Sequence, residues 1–311
     1  MENINTLFFS GGAMKCLSIL GSLKYLFENN IIKNDFENIK DIYFVSGSSI
    51  YLTPLLIGFS MDSTIDIFKR IDYKGLSGID RMKLQNLFDN YGLSKITDYK
   101  FIIRTILKAK NIPEEITLKE FYELIKINLH FRVININKQR NEYLNKDNSP
   151  DLSYIDAICM TSCIPLLFEP IEYNGCKYID GGVNNNFPYE KLINKKNYLG
   201  INILSSKISL DNKGVEKKNI KDFYDYINIL YNIYGAPSTF QSSINHIKIL
   251  INGSGVDFNR FSDTIDETLL LGYETTKNHF SNFQKHIDSL HVPNEDQIND
   301  KPHWTQSSCI S

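Results

Sequence analysis

The pattern of hydrophobic and polar positions predicts short buried strands that alternate with amphipathic helices. Residues 4–9 (INTLFF) and 41–46 (DIYFVS) are apolar runs that lead into small residues, which is typical of buried strands. Between them, from Lys15 to about Asn29, apolar residues recur at helical spacing. Further strands are predicted at 129–136, 176–180 and 198–204. This alternation favours an α/β/α sandwich, with helices on both faces of a mostly parallel sheet.

Helical periodicity covers much of the remaining chain. It predicts helices over 50–59, 62–71 and 153–165, and longer helical regions over 72–128 and 220–285. Ser63 with Asp66, and Thr117 with Glu120, have the spacing of capping boxes, so we expect helices to begin beside them.

The chain shows no linker that would divide it. We therefore predict one domain over residues 1–285, followed by a mobile tail over 286–311, where periodicity is absent.

Composition and charge narrow the classes of function. With 34 basic and 36 acidic residues and no basic stripe, we expect no nucleic-acid partner. Five cysteines without a C-x-x-C pair indicate reduced thiols inside a cell. The sequence shows no signal peptide and no apolar run near the roughly 20 residues of a membrane helix, so we expect a cytoplasmic protein, free or peripheral on membranes. Metal-ligand spacing is also missing, and we expect neither metal nor cofactor.

Three short segments follow predicted strands and carry the candidate chemistry. They read SGGAMK (10–15), GSS (47–49) and DGG (180–182). Loops at the carboxyl ends of strands in α/β sheets are where sites collect. Together they could supply the nucleophile, the base and the oxyanion donors of acyl transfer.

Ser49 is the candidate nucleophile. Gly47 lets the chain turn sharply after the strand, so that the Ser49 hydroxyl could project from the sheet edge at the start of a helix. The pattern G-x-S-x-G is incomplete, because Tyr51 stands at the position of its second glycine. The alternative role for Ser49 is that of a helix N-cap.

Gly11 and Gly12 are the candidate anion-binding residues. Main-chain N–H groups at a helix start can hold an oxyanion, and Lys15 adds positive charge nearby. A phosphate or dinucleotide site is the competing interpretation, although GGAMKC matches neither motif, and an ordinary glycine turn is another.

Asp180 is the candidate base. Gly181 and Gly182 free the backbone to fix its carboxylate, which could accept the Ser49 proton. An Asx-turn aspartate is the alternative. None of the six histidines occupies a suitable turn after a strand, so a Ser-His-Asp triad has no good candidate, whereas a Ser-Asp pair needs no histidine.

The stretch DAICMTSCIPLLFEPIEYNGCKYIDGGVNNNFP (156–188) contains Phe-x-Pro, Tyr-x-Asp-Gly-Gly and Asn-x-Pro in order. With SGGAMKCLSILGSLKYL (10–26) and VSGSSIY (45–51) at matching spacing, the chain resembles the patatin-like phospholipase family over about residues 5–200. The resemblance implies a three-layer α/β/α sandwich related to the α/β-hydrolases. It also implies hydrolysis of acyl esters of glycerolipids or phospholipids, at a membrane or micelle surface, without calcium.

The resemblance also implies roles for individual residues. Ser49 matches the nucleophile of a Ser-Asp dyad and Asp180 matches its base. Gly11, Gly12 and Ala13 match the oxyanion loop, and Lys15 matches the basic residue that accompanies it.

Three positions depart from the family's pattern: Ala13, Cys16 and Tyr51 each replace a glycine. Ala13 is strained only if its φ is positive. Cys16 can pack against the first helix. The Tyr51 phenol is expected to point outward into a gap or to displace a neighbour. The sequence therefore also allows an inactive patatin-like scaffold that binds lipid or protein, or an esterase or thioesterase for water-soluble substrates.

Overall fold

The described residues are built around an eight-stranded mixed sheet. The fold is described from a computed structural model, covering residues 4–73, 84–192, 195–204, 245–252, 255 and 263–290, without the side chains of 84 and 285–290. The strands are β1 (Thr6–Phe9), β2 (Asp41–Val45), β3 (Gly92–Ser94), β4 (Asn128–Asn135), β5 (Arg140–Leu144), β6 (Leu166–Phe168), β7 (Ile171–Tyr173), β8 (Cys176–Asp180), β9 (Tyr198–Leu204) and β10 (His246–Leu250).

The helices pack around this sheet. They are α1 (Leu17–Glu28), α2 (Ser48–Leu56), α3 (Met61–Lys69), α4 (Leu84–Asn90), α5 (Thr97–Lys108), α6 (Leu118–Ile125), α7 (Tyr154–Thr161) and α8 (Ile265–Leu290). Two short 3-10 helices, Ala13–Cys16 and Tyr189–Lys191, supplement them.

The strand order combines a parallel half with an antiparallel half. It runs β10-β9-β1-β2-β4-β8-β7, with β5 also paired to β4. The strands from β10 to β4 are parallel, whereas β5 and β8 run antiparallel to β4. Helices lie on both sides of the sheet, which confirms the predicted α/β class.

The two faces of the sheet bury separate clusters of apolar side chains. Leu7 and Phe9 lie in the large cluster, under α1, α2 and α7, whereas Phe8 packs with Tyr43 and Phe187 in a smaller one. Successive side chains of a strand point to opposite faces, so the TLFF run of β1 contributes to both layers. An apolar run without alternation is what a strand buried on both faces requires.

Register along β4 brings the site together. Its first half pairs with β2, where Arg132 lies opposite Val45, and its last three residues pair with β8, where Val133 lies opposite Asp180. The carboxyl ends of β2 and β8 therefore meet at consecutive residues of β4.

The predicted elements differ from the structure in several places. The capping box at Thr117 is confirmed, since Thr117 Oγ1 accepts from the Glu120 N–H at 3.2 Å and Glu120 Oε2 accepts from the Thr117 N–H at 2.9 Å. The box predicted at Ser63 is wrong. Ser60 is the N-cap there and accepts from the Ser63 N–H, because α3 begins at Met61.

The region 220–285 is not helical throughout, because His246–Leu250 forms strand β10. The α8 helix continues to Leu290, past the domain boundary predicted at 285. Residues 205–244 and 291–311 lie outside the described residues, so most of the predicted tail and part of this helical region do too.

Candidate active site

A sharp turn joins β2 to α2, with Ser46 in the turn and Ser48 and Ser49 at the start of the helix. We call residues 45–48 the elbow. Ser46 has φ 56°, in the left-handed region, and the next residue, Gly47, has φ −55°. A Cβ on Gly47 would lie 3.1 Å from the Ala13 carbonyl oxygen, so the glycine allows the loop after β1 to approach the elbow. The turn places Ser46 at the end of the strand.

Asp180 holds its carboxylate between the elbow and its own loop. Oδ2 accepts a hydrogen bond from Ser46 Oγ at 2.5 Å, and Oδ1 accepts one from the Gly182 N–H at 2.7 Å. Burial raises the pKa of Asp180 to about 6, although these two hydrogen bonds and the charge of Arg132 oppose the rise. A carboxylate whose pKa lies near neutral pH is suited to general-base catalysis.

Ser49 lies elsewhere than the sequence predicts. It is fully buried in the first turn of α2, and its Oγ donates to the Ser46 carbonyl at 2.9 Å. Among the hydrogen bonds of the described residues, Asp180 is paired with Ser46 and not with Ser49. The helix begins at Ser48, earlier than its predicted start at residue 50, so Ser49 becomes an ordinary helical residue that bonds back along the chain.

The loop between β1 and the first 3-10 helix lies against the elbow. We call residues 10–13 the glycine loop. Gly11 N–H donates to the Asn186 carbonyl at 3.0 Å, and Asn186 Nδ2 donates back to the Gly11 carbonyl at 2.8 Å. Within the described parts of the chain, the N–H groups of Gly12 and Ala13 have no recorded acceptor. Gly11 thus anchors the loop, and the next two N–H groups are the candidate oxyanion donors.

Ala13 adopts φ 48° in this loop. A left-handed conformation costs a residue with a Cβ about 1–2 kcal/mol, so the replacement of glycine by alanine stores strain here. The structure therefore excludes the negative φ that would have left Ala13 unstrained.

A buried arginine organises the loop that follows Asp180. Arg132 is 1% exposed, and its Nη1 donates to the carbonyls of Gly181 and Asn185 while its Nε donates to Glu190 Oε1 at 2.9 Å. A Cβ on Gly181 would lie 2.3 Å from the Arg132 carbonyl oxygen, so this position requires glycine. Arg132 therefore fixes the chain beside Asp180 and lends it positive charge.

Thr161 links α7 to the elbow. Its Oγ1 donates to the Arg132 carbonyl at 2.6 Å and accepts from the Ser46 N–H at 3.0 Å. Sequence reasoning missed Ser46, Thr161, Arg132 and Asn186. The available signals were the first of the three serines in VSGSS, a charged residue within the apolar strand LHFRVINI, and the asparagine of the Asn-x-Pro triplet.

The remaining residues singled out in the sequence, Tyr51, Cys16 and Lys15, are buried. Tyr51 does not point outward into a gap, because it is buried, its ring lies 4.5 Å from that of Phe68 and its hydroxyl donates to Met14 Sδ at 3.3 Å. Cys16 is fully buried, and burial is the main cause that raises the pKa of its thiol. Lys15 is 3% exposed in the same short helix.

Among the described residues, Asp180 has no histidine partner and no cluster of metal-ligating side chains occurs. His130 lies 2.8 Å from Asp41 at the opposite end of β2, and no histidine there bonds to Asp180. No group of three or more metal-ligating side chains occurs in the same residues. In the described part of the chain, no helix has both the length and the apolar character needed to cross a bilayer.

Comparisons with known proteins identify the family of this chain. The family model described as patatin-like phospholipase matches residues 7–193. The chain is 29% identical over 227 residues to probable lipid hydrolase 463L of Invertebrate iridescent virus 6, covering 72% of this chain and 76% of that protein. It is 29% identical over 229 residues to uncharacterized protein R571 of Acanthamoeba polyphaga mimivirus, covering 73% and 74%. The solved structure of VipD from Legionella pneumophila superimposes with a TM-score of 0.54 at 15% identity, covering 90% of this chain and 67% of VipD.

Proposed function

Because the chain belongs to the patatin-like phospholipase family, we propose that it is a lipid acyl hydrolase that cleaves fatty-acyl esters of glycerolipids or phospholipids through a serine acyl-enzyme. The name of the iridescent-virus relative, probable lipid hydrolase, supports a lipolytic activity. One observation carries the proposal: the buried carboxylate of Asp180 accepts a hydrogen bond from a serine at the strand-to-helix elbow.

The reaction needs only groups that the site provides. The elbow serine gives its proton to Asp180 as Oγ attacks the ester carbonyl carbon, and the N–H groups of Gly12 and Ala13 hold the resulting oxyanion. Collapse of this intermediate breaks the ester bond, and the departing alcohol takes the proton from Asp180. Water then attacks the acyl-enzyme, gives a proton to Asp180 and releases the fatty acid, after which the proton returns to the serine.

Two serines compete for the role of nucleophile. The family pattern assigns it to Ser49, which forms the proposed dyad with Asp180. For Ser49 to act, its hydroxyl has to leave the Ser46 carbonyl and reach the carboxylate that Ser46 now contacts.

Exposed aromatic side chains favour a lipid surface over a small water-soluble ester. Phe88 on α4, Tyr91 before β3 and Phe101 on α5 are 72%, 61% and 69% exposed. A contiguous apolar patch at a surface is typical of membrane-binding sites, and these three side chains are the candidates for such a patch. Tyr91 directly precedes β3, and β3 pairs with β6. Shortly before β6, the Cys163 carbonyl accepts a hydrogen bond from the Asp180 N–H, so β6 lies between the region of Tyr91 and the site.

The test is release of fatty acid from phosphatidylcholine vesicles, followed by mass spectrometry. We expect Asp180→Asn to lower the rate about 10²–10⁴-fold, the usual contribution of a general base. The matched control is Asp151→Asn, an exposed aspartate before α7, which should retain the wild-type rate. A wild-type rate in the Asp180 variant would contradict the proposal.

An inactive scaffold is the second candidate. It is favoured by the low exposure of the site, where Ser46 and Asp180 are 6% and 5% exposed. A fluorophosphonate probe, which reacts only with activated serines, should label the enzyme and should leave a scaffold unlabelled.

A further inference from the structure

We infer that the nucleophile is Ser46 and that Ser49 is a structural residue of α2. This inference rests on the proposed hydrolase function and identifies the residue that would carry the acyl group. It departs from the assignment that the family pattern gives.

The backbone at the elbow singles out Ser46. A serine in the left-handed region is strained, and Gly47 beside it could adopt that conformation freely. The structure nevertheless places the positive φ on Ser46 and a helical φ on the glycine. Strain of this kind persists only where the surrounding structure imposes it, and it collects at functional sites.

Hydrogen bonding gives the two serines different roles. Ser46 Oγ donates to Asp180, and a hydroxyl bound to a carboxylate can lose its proton directly to it. Ser49 Oγ donates to a main-chain carbonyl instead, and the Ser49 carbonyl accepts from Thr53 Oγ1 at 2.8 Å. Thr53 Oγ1 lies 2.9 Å from the buried Tyr154 hydroxyl, so Ser49 belongs to a network inside the helix layer.

Ser46 also lies beside the glycine loop. A Cβ built on Gly11 would lie 3.0 Å from Ser46 Cβ, so the Ser46 side chain borders the glycine loop. The Ser46 N–H is held by Thr161, which fixes the residue from the other side. A nucleophile needs a base on one side and oxyanion donors on the other, and Ser46 contacts the base and borders the loop that carries the candidate donors.

The assignment of Ser46 as the nucleophile also accounts for Tyr51, which stands where the family pattern has a glycine. If Ser49 were the nucleophile, the residue two positions later would be Tyr51, where close packing of the elbow helix favours glycine. If Ser46 is the nucleophile, that residue is Ser48, which is small and fully buried. Tyr51 then lies three residues further along α2, where its ring packs on Phe68.

The experiment is labelling of the full chain with a fluorophosphonate probe, followed by trypsin and fragment mass spectrometry. Residues 41–69 form one tryptic peptide that contains both serines, so fragment ions locate the label. We expect the label on Ser46. We expect Ser46→Ala to lose labelling and lower kcat/KM for a p-nitrophenyl ester about 10³-fold or more, as loss of a nucleophile does. Ser49→Ala, the matched control, should keep both near the wild-type level.

The outcomes distinguish the assignment of Ser46 as the nucleophile from the proposed hydrolase function. A label on Ser49, or loss of activity in Ser49→Ala but not in Ser46→Ala, overturns this inference and leaves the proposed hydrolase function intact. If the wild type hydrolyses esters without taking the label, the rates of the two variants decide. If it does neither, the proposed function fails and the inference fails with it. Circular dichroism melts check that each variant is folded.

Discussion

Replacement of Asp180 by asparagine is expected to stabilise the fold at neutral pH while it removes activity. Burial raises the pKa of Asp180 to about 6, whereas the ordinary value is 3.8. Between these two pH values the folded protein binds more protons than the unfolded chain. The free energy of unfolding therefore falls as the pH rises through this window, and above about pH 7 the wild type carries the whole penalty.

The size of the penalty follows from the two pKa values. A difference of about two units corresponds to about 3 kcal/mol, at 1.36 kcal/mol per unit. Asparagine is neutral at every pH and avoids this cost. Its Oδ1 can still accept from the Gly182 N–H, as the carboxylate does now. The variant should therefore gain up to about 3 kcal/mol over the wild type at pH 7.5, relative to their difference at pH 4.

Urea unfolding of both proteins at pH 4 and pH 7.5 measures this change. Subtracting the free energies of unfolding of the two proteins removes the contribution of other titrating groups. One such group is His246, because burial lowers its pKa to about 4. Asp151→Asn, at an exposed position, is the control and should show no such change. A stability difference between Asp180→Asn and wild type that is the same at both pH values would refute the account of a buried, proton-binding carboxyl.

Three further substitutions test the surroundings of the site. Ala13→Gly should raise the free energy of unfolding by about 1 kcal/mol in urea, because it relieves a left-handed alanine. Asn186→Ala should lower kcat for a p-nitrophenyl ester by about tenfold or more with little change in KM, since the glycine loop loses one of its two bonds to Asn186 and the oxyanion donors loosen. Arg132→Met should cost about 3–5 kcal/mol in the same urea assay, because it leaves Glu190 and the carbonyls after Asp180 without their partner. An unchanged kcat in the Asn186 variant would show that the loop does not depend on that side chain.

The sequence predicts the sheet well where strands are buried on both faces. The segments CKYID and YLGINIL are strands with the predicted limits. YLGINIL is mostly apolar and buried, and CKYID ends at the Asp-Gly-Gly turn, so the sequence leaves few alternatives for either. β10 was missed, since its five residues HIKIL lie within a region whose wider periodicity is helical. Pairing with β9 decides its conformation, and that contact is distant in sequence.

The sequence indicates which segments form the candidate site, but not which side chains within them contact one another. The glycine loop, the elbow and the Asp-Gly-Gly turn are far apart in the sequence, and the structure brings them together. Within VSGSS, however, local pattern cannot show where the strand ends and the helix begins. That point depends on register along β4, which brings the ends of β2 and β8 together. Asn186 was missed for a similar reason, because its partner Gly11 is 175 positions away.

The most direct test of the central claim is the pH dependence of kcat/KM for a p-nitrophenyl ester in the wild type and in Asp180→Asn. With a pKa of about 6, only about one tenth of the wild-type sites carry the ionised base at pH 5. The rate should therefore rise about tenfold from pH 5 to a plateau above pH 7, and the variant should be about 10²-fold slower or worse, without this rise. A variant that keeps both the wild-type rate and its pH profile would contradict the claim that Asp180 takes the proton of the elbow serine.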